Sequence, residues 1–341
     1  MPHVKVPLAS LIFTAASLAQ TWIPQTSGVR VSLRGVSVVT DKVVWASGAE
    51  GVWLRTVDGG NNWKAGTVPG AETLDFRGVR GIDPNTAFLM SSGTGDKSRV
   101  YKTSDGGATW ALLLSNPDAQ GFFDALAFWD PEHGILMGDP VDGHAVVLVT
   151  VDGGRHWLRQ ATPAALPNEG AFAASNSCLV VREGLEAWFG TGGPGAGRVF
   201  HSRDAGKTWT VASTAIRNDG PGAGIFSLAF SDGRQGIAVG GEYAHDRETA
   251  RNIVLTMDGG TTWTTAVPGS GPHGYRSAVA YLPDVRVWVA SGTSGSDISR
   301  DGGKTWTQFD DGAFHALDAL SSQAAWAVGP KGRIAKFRGM R

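Results

Sequence analysis

Six copies of one octet, a fixed order of short strands around each copy, and two partial repeats at the chain ends predict an all-β fold: a seven-bladed β-propeller with its last blade closed by the N-terminal strand. The octet reads Ser or Thr, any residue, Asp, a small residue, Gly, any two residues, Trp. It runs from Thr56 to Trp63, Thr103 to Trp110, Thr150 to Trp157, Ser202 to Trp209, Thr256 to Trp263 and Ser299 to Trp306. The physical content is a hairpin turn. Asp58, Asp105, Asp152, Asp204, Asp258 and Asp301 accept backbone N–H groups just downstream, and the glycines take a positive φ without steric cost. Trp63, Trp110, Trp157, Trp209, Trp263 and Trp306 open the next strand and cover the turn with a large apolar ring.

Each octet follows the same upstream grammar. An inner strand comes first (Leu33 to Val38, or Phe226 to Phe230), then a second strand ending in small residues (Val44 to Gly48, or Gly236 to Gly240). A third strand, such as Val52 to Thr56, enters the turn, and the Trp begins a fourth. Four antiparallel strands make one propeller blade. Successive octet tryptophans lie 47, 47, 52, 54 and 43 residues apart. After Trp306 a further three-strand unit ends in Ile334 to Phe337 without an octet. Thr21-Trp22-Ile23-Pro24 resembles the strand that follows an octet, and Trp22 stands 41 residues before Trp63, one repeat. Pairing the two partial units gives seven blades and removes an open sheet edge.

Composition agrees with this reading. Gly (48 of 341 residues) and Trp (13) are abundant, charged residues make up only 18%, and no 3.6-residue periodicity predicts a helix after the N-terminus. The net charge of -1, with no basic run, argues against a nucleic-acid partner. Residues 1–19 read as a signal peptide: Lys5, an apolar stretch from Val6 to Ala16 too short to span a bilayer, and Ser17-Leu18-Ala19 before Gln20. The expected mature chain, residues 20–341, is then a periplasmic or secreted bacterial protein and not an integral membrane protein. The only cysteine, Cys178, excludes an intramolecular disulfide, and no Cys follows the cleavage point to carry a lipid.

In a blade of this order the Asp turns lie on one face, and the loops between strands two and three lie on the other, around the channel mouth. Residues opening the inner strands are therefore the candidates for contact: Arg34, Arg77, Asp124, Ala173, Ser227, Arg276 and His315. Longer loops and connectors add Asp96, Asp139, Asp142, His144, Glu169, Glu242 and Tyr243. The arginines suit a carboxylate, which guanidinium pairs in two-pronged geometry; a solvated rim of mutually neutralising charges is the bland alternative. Gly206-Lys207-Thr208 and Gly303-Lys304-Thr305 lack the first glycine of a phosphate-binding loop, since His201 and Ile298 stand there. His245, with Glu242 and Asp246, matches no metal-ligand spacing. No metal, cofactor or catalytic residue is assigned.

The octets, and the Gly-x-x-Gly-x-hydrophobic run Gly48-Ala49-Glu50-Gly51-Val52-Trp53, resemble BNR/Asp-box propellers over residues 20–341, and within that group the photosystem II stability/assembly factor-like family. The resemblance implies a non-catalytic protein that binds or scaffolds an acidic segment of another exported or membrane protein. Carbohydrate is the alternative ligand, through a sialidase-like glycoside hydrolase. In that reading Arg34, Arg77 and Arg276 imitate an arginine triad and Glu242-Tyr243 the catalytic pair. Against it, sialidases have six blades, and their Arg-Ile-Pro signature is Arg34-Gly35-Val36 here.

Overall fold

The computed structural model describes residues 20–339; the expected leader, residues 1–19, lies outside the described residues. Seven four-stranded antiparallel sheets follow one another along the chain as blades 1 to 7. Their inner strands are Leu33–Val38, Phe76–Gly81, Phe123–Phe128, Leu179–Arg182, Ala223–Phe230, Ala278–Leu282 and Ala316–Ser321. Helical structure among the described residues is limited to three three-residue turns.

Each turn is built around its hydroxyl as much as its carboxylate. In blade 1, Thr56 Oγ1 donates to Asp58 Oδ1 (2.8 Å) and accepts from the Gly60 N–H (2.9 Å). Asp58 Oδ1 also accepts from the Asn62 N–H, and Oδ2 from the Asn62 side chain. The same bonds recur at Asp105 and Asp258, with Thr109 and Thr262 in the role of Asn62. Both glycines of the first turn have positive φ (74° and 87°), a conformation that costs a residue with a Cβ.

The ring is closed by the strand Thr21–Gln25, which pairs antiparallel with Ile334–Arg338 as the outermost strand of blade 7, Trp22 opposite Phe337. Trp22 is buried among Phe309, Phe314 and Phe337, with ring centroids 5.4 to 6.1 Å away, and its indole N–H donates to Ser296 Oγ in blade 6. Three residues on, Gln25 Oε1 accepts from the indoles of both Trp326 (blade 7) and Trp63 (blade 1). One short strand thus touches three blades.

Inner strands expose one row of backbone groups to the channel, and buried N–H groups need partners. Neighbouring blades supply them. Asp318 Oδ2 accepts from the Val38 N–H, Ser37 Oγ from Gly81, and Ser227 Oγ from Val279. The blades are therefore tied near the axis by hydrogen bonds and farther out by apolar layers centred on the fully buried Trp45, Trp188, Trp288 and Trp326.

Two outcomes follow. Trp22→Ala removes a buried indole from three aromatic neighbours and should cost about 3–5 kcal/mol, read by chemical denaturation. The N–H of Asn62 at Asp58 and the hydroxyls of Thr109 and Thr262 at Asp105 and Asp258 pull those carboxylates down to about 2 from 3.8. A folded value below the unfolded one means these turns contribute fully above about pH 4 and lose that contribution as pH falls toward about 2. Melting temperatures measured from pH 5 to pH 2 should fall through that window, and less steeply in Asp105→Asn.

Candidate ligand site at the channel mouth

The mouth residues are aimed by a repeated irregularity. The inner strand carries a bulge at its start in blades 1, 2 and 3, and after three paired residues in blade 5, leaving Arg34, Arg77, Asp124 and Phe226 opposite no partner. A bulge re-aims the extra side chain, here toward the axis. His315 holds the matching place in blade 7, its N–H donating to the Val328 carbonyl just before the ladder begins at Ala316. In blade 6 the same place belongs to Ser277, whose N–H donates to Ser291.

That register corrects two expectations. Ser227 sits one residue past the bulge, and its hydroxyl bonds blade 6 and Ser177 instead of facing the mouth. Arg276 sits one residue before the mouth position, where the other blades place the buried Leu33, Phe76, Phe123, Ile225 and Phe314. Along a strand, a shift of one residue moves a side chain to the opposite face. The Arg276 guanidinium is fully buried, with Nε 2.6 Å from Asp297 Oδ2 and Nη1 on Tyr275 O and Ser294 Oγ. It is a structural cation.

Blade 4 departs most from the repeat. Its inner strand begins late, at Leu179, and the preceding residues cross the channel. Ala173 O accepts from Arg77 of blade 2, and Ser175 Oγ donates to Ser277 O of blade 6. Asn176 makes a two-way bond with the N–H and C=O of Leu126 in blade 3, and Ser177 meets Ser227 in blade 5. Ala171 to Ala174 line the cavity on the mouth side, Ser175 to Ser177 a smaller one beyond. The channel is plugged, and the mouth is a blind pocket of about 510 Å³.

Its walls are divided by chemistry. Blades 7, 1 and 2 contribute His315, Arg34 and Arg77; blade 3 contributes Asp124 and Asp139. On the far side stand Phe172, Phe226, Tyr243 and Tyr275. Arg77 is held by Asp75 (2.8 Å), whereas Arg34 Nε is buried with no partner among the described residues. Burial, and then the charge of Arg77, pull the Arg34 guanidinium below its ordinary value. Burial and Arg34 push the His315 ring down to about 4, so it is neutral at pH 7. Neither oxygen of Asp124 has a partner of good geometry, the Ala173 and Asp139 N–H groups being nearest, and burial followed by the charge of Asp139 pushes this carboxyl well up.

Two other expected contacts lie elsewhere. Glu169 is buried in an ion pair with Arg198 and takes the Thr191 hydroxyl, fixing the connector to blade 4 outside this pocket. Glu242 is turned inward, accepting the Ala244 N–H to cap the turn that presents Tyr243 to the pocket. The expected Glu242-Tyr243 pair is therefore split, and only two of the three arginines reach the cavity, so the imitation of a sialidase centre fails on geometry. The aromatic residues Phe172, Phe226 and Tyr275 were missed because Phe and Tyr are also core residues; the bulge register of Phe226 was the available signal. Among the described residues no three His, Cys, Asp or Glu side chains are grouped to hold a metal ion.

A seven-bladed propeller with a blind, arginine-walled mouth is the class of protein these features define. The chain matches no protein-family model. It resembles the photosystem II assembly lipoprotein Ycf48 of Synechococcus sp. (strain CC9902), 25% identical over 66% of this chain and 72% of that one. It also resembles the chloroplastic photosystem II stability/assembly factor HCF136 of Arabidopsis thaliana, 24% identical over 79% of this chain and 66% of that one. The chain thus spans just under two thirds of the second relative. Among solved structures, YCF48 bound to D1 peptide superposes with a TM-score of 0.64 at 15% identity, covering 94% of this chain and 97% of that one. A GH74 enzyme of Niastella koreensis superposes at 0.59 and 15% identity, covering 89% of this chain but 51% of the enzyme. At such identities the superpositions establish the fold alone.

Removing one partner of the buried Arg276–Asp297 pair strands a charge. Arg276→Ala should cost about 3–5 kcal/mol in denaturant unfolding.

Proposed function

We propose that this chain is a non-catalytic, exported assembly-factor-like propeller that binds a segment of another exported or membrane protein at the channel mouth, opposite the Asp turns. The observation that carries the reading is the unpartnered Arg34 guanidinium in a blind pocket, beside Arg77 and a neutral His315. A desolvated guanidinium whose Nε has no hydrogen-bond acceptor is costly, and a ligand carboxylate supplies one in bidentate geometry. The named relatives support a protein ligand over a sugar. One is described as an assembly lipoprotein, the other as a stability/assembly factor, and the structural neighbour holds a peptide. No helix among the described residues is long and apolar enough to cross a membrane.

Because the floor is closed by Ala173 to Ser177, a bound segment lies across the mouth and sends side chains inward; it does not thread the ring. Arg34 and Arg77 are the contacts, with Asp139 on the blade 3 side of the same cavity. Arg276 has no part in it.

The test is affinity capture from a periplasmic extract with the native chain and with Arg34→Ala/Arg77→Ala. A charge-assisted hydrogen bond contributes about 1.5–3 kcal/mol, so the double variant should retain its partner about tenfold less or worse, with an unchanged melting profile. Identical capture by both proteins rejects the site. Turnover of a fluorogenic sialoside panel by the native chain, lost in Tyr243→Phe, would replace this reading with the hydrolase.

A further inference from the structure

The mouth pocket has a second half that the carboxylate reading leaves idle. Phe172 of the plug stacks on Phe226 of blade 5, ring centroids 3.9 Å apart and planes within 9°. Tyr275 of blade 6 meets Phe226 edge-on at 4.7 Å, and Tyr243 stands 6.4 Å from it with 57% of its surface exposed. All four rings line the same cavity as Arg34 and Arg77. Tyr243 is exposed, with the packed rings of Phe172, Phe226 and Tyr275 behind it, and such rings give large contact area at low entropic cost.

We propose that the element recognised at the mouth is a two-residue anchor, an acidic side chain next to a large apolar or aromatic one, the acid seated on Arg34 and the apolar group against the Phe172–Phe226–Tyr243–Tyr275 wall. This rests on the protein-binding reading and adds its specificity. The pocket, about 510 Å³, is sized for one or two side chains, and its closed floor ends the entry there. The aromatic wall comes from the plug, blade 5 and the entry to blade 6, and the arginines from blades 1 and 2; both line one cavity, so neighbouring side chains of one extended or turned segment suffice to reach both. Asp124 completes the site from a third side. Its oxygens are buried, unpartnered and part of the same lining. Burial favours its protonated form, in which a carboxyl offers one O–H donor and one carbonyl acceptor, the complement of a peptide group. Aromatic faces also attract cations, but the two guanidiniums beside them repel one.

Fluorescence anisotropy with four labelled, end-blocked hexapeptides tests this, each carrying one central pair: Asp-Phe, Asp-Ala, Asn-Phe or Asp-Lys. Blocked ends leave the Asp side chain as the only carboxylate. Asp-Phe should bind about tenfold tighter than Asp-Ala and than Asn-Phe, and tighter than Asp-Lys. Tyr243→Ala, chosen because the ring is exposed, should erase most of the Phe-over-Ala preference and keep the Asp-over-Asn preference; Arg34→Ala should do the reverse. Equal binding of Asp-Phe and Asp-Ala overturns the anchor and leaves the carboxylate reading standing, as does a preference for Asp-Lys. Absence of binding by all four overturns the anchor as well, and the Arg34-dependence of capture from extract then decides the broader reading separately.

Discussion

The structure depends on closing the circle. A propeller blade is stable only between two neighbours, because each buries its apolar faces on the blades either side. An unclosed array would expose two such faces and a free sheet edge. Here the closing element is five residues long, Thr21–Gln25, and its hold rests on two side chains. Trp22 fills the layer between blades 6 and 7, and Gln25 bridges the indoles of Trp326 and Trp63 across the seam between blades 7 and 1. In four of the other Asp turns the Trp indole donates to the turn's own glycine carbonyl. At the seam that local bond is exchanged for one that joins the two ends of the chain.

Closure sets the geometry of the mouth. With seven blades fixed about one axis, a single irregularity repeated in the inner strands aims side chains at a common point. The outcome at each blade depends on what stands at the bulge: arginine in blades 1 and 2, aspartate in blade 3, phenylalanine in blade 5. Blade 4 gives up that place and sends a segment across the channel, bonded to blades 2, 3, 5 and 6. The plug turns a channel into a pocket, and it also contributes Phe172 to the pocket's aromatic wall. Packing, hydrogen bonding and ligand space are thus settled by the same few residues.

Charged residues near the mouth divide by burial. Arg276 and Glu169 are each matched by an internal partner, which is how a buried charge is tolerated. Arg34 Nε has no hydrogen-bond acceptor, and burial shifts the Asp124 carboxyl toward its protonated form. Buried polar groups without a partner are few in a folded protein, and these two face the same cavity.

Blade number, strand order and the pairing of the two chain ends were legible in the sequence, because each follows from local chemistry repeated at a regular spacing. An Asp turn needs its hydroxyl, carboxylate and glycines within eight residues, and a half-repeat at each end leaves one arrangement that closes. Arg34, Arg77, Asp124 and His315, singled out by position in the repeat, and Tyr243, singled out in a long loop, were found lining the mouth cavity. Arg276, Ser227, Glu169 and Glu242 were not, and neither the plug nor the aromatic wall was foreseen. Those depend on a one-residue register, on which charge finds an internal partner, and on where an irregular loop lands among five blades. The plug's contacts join residues 50 to 102 positions apart, and only the closed ring brings them together.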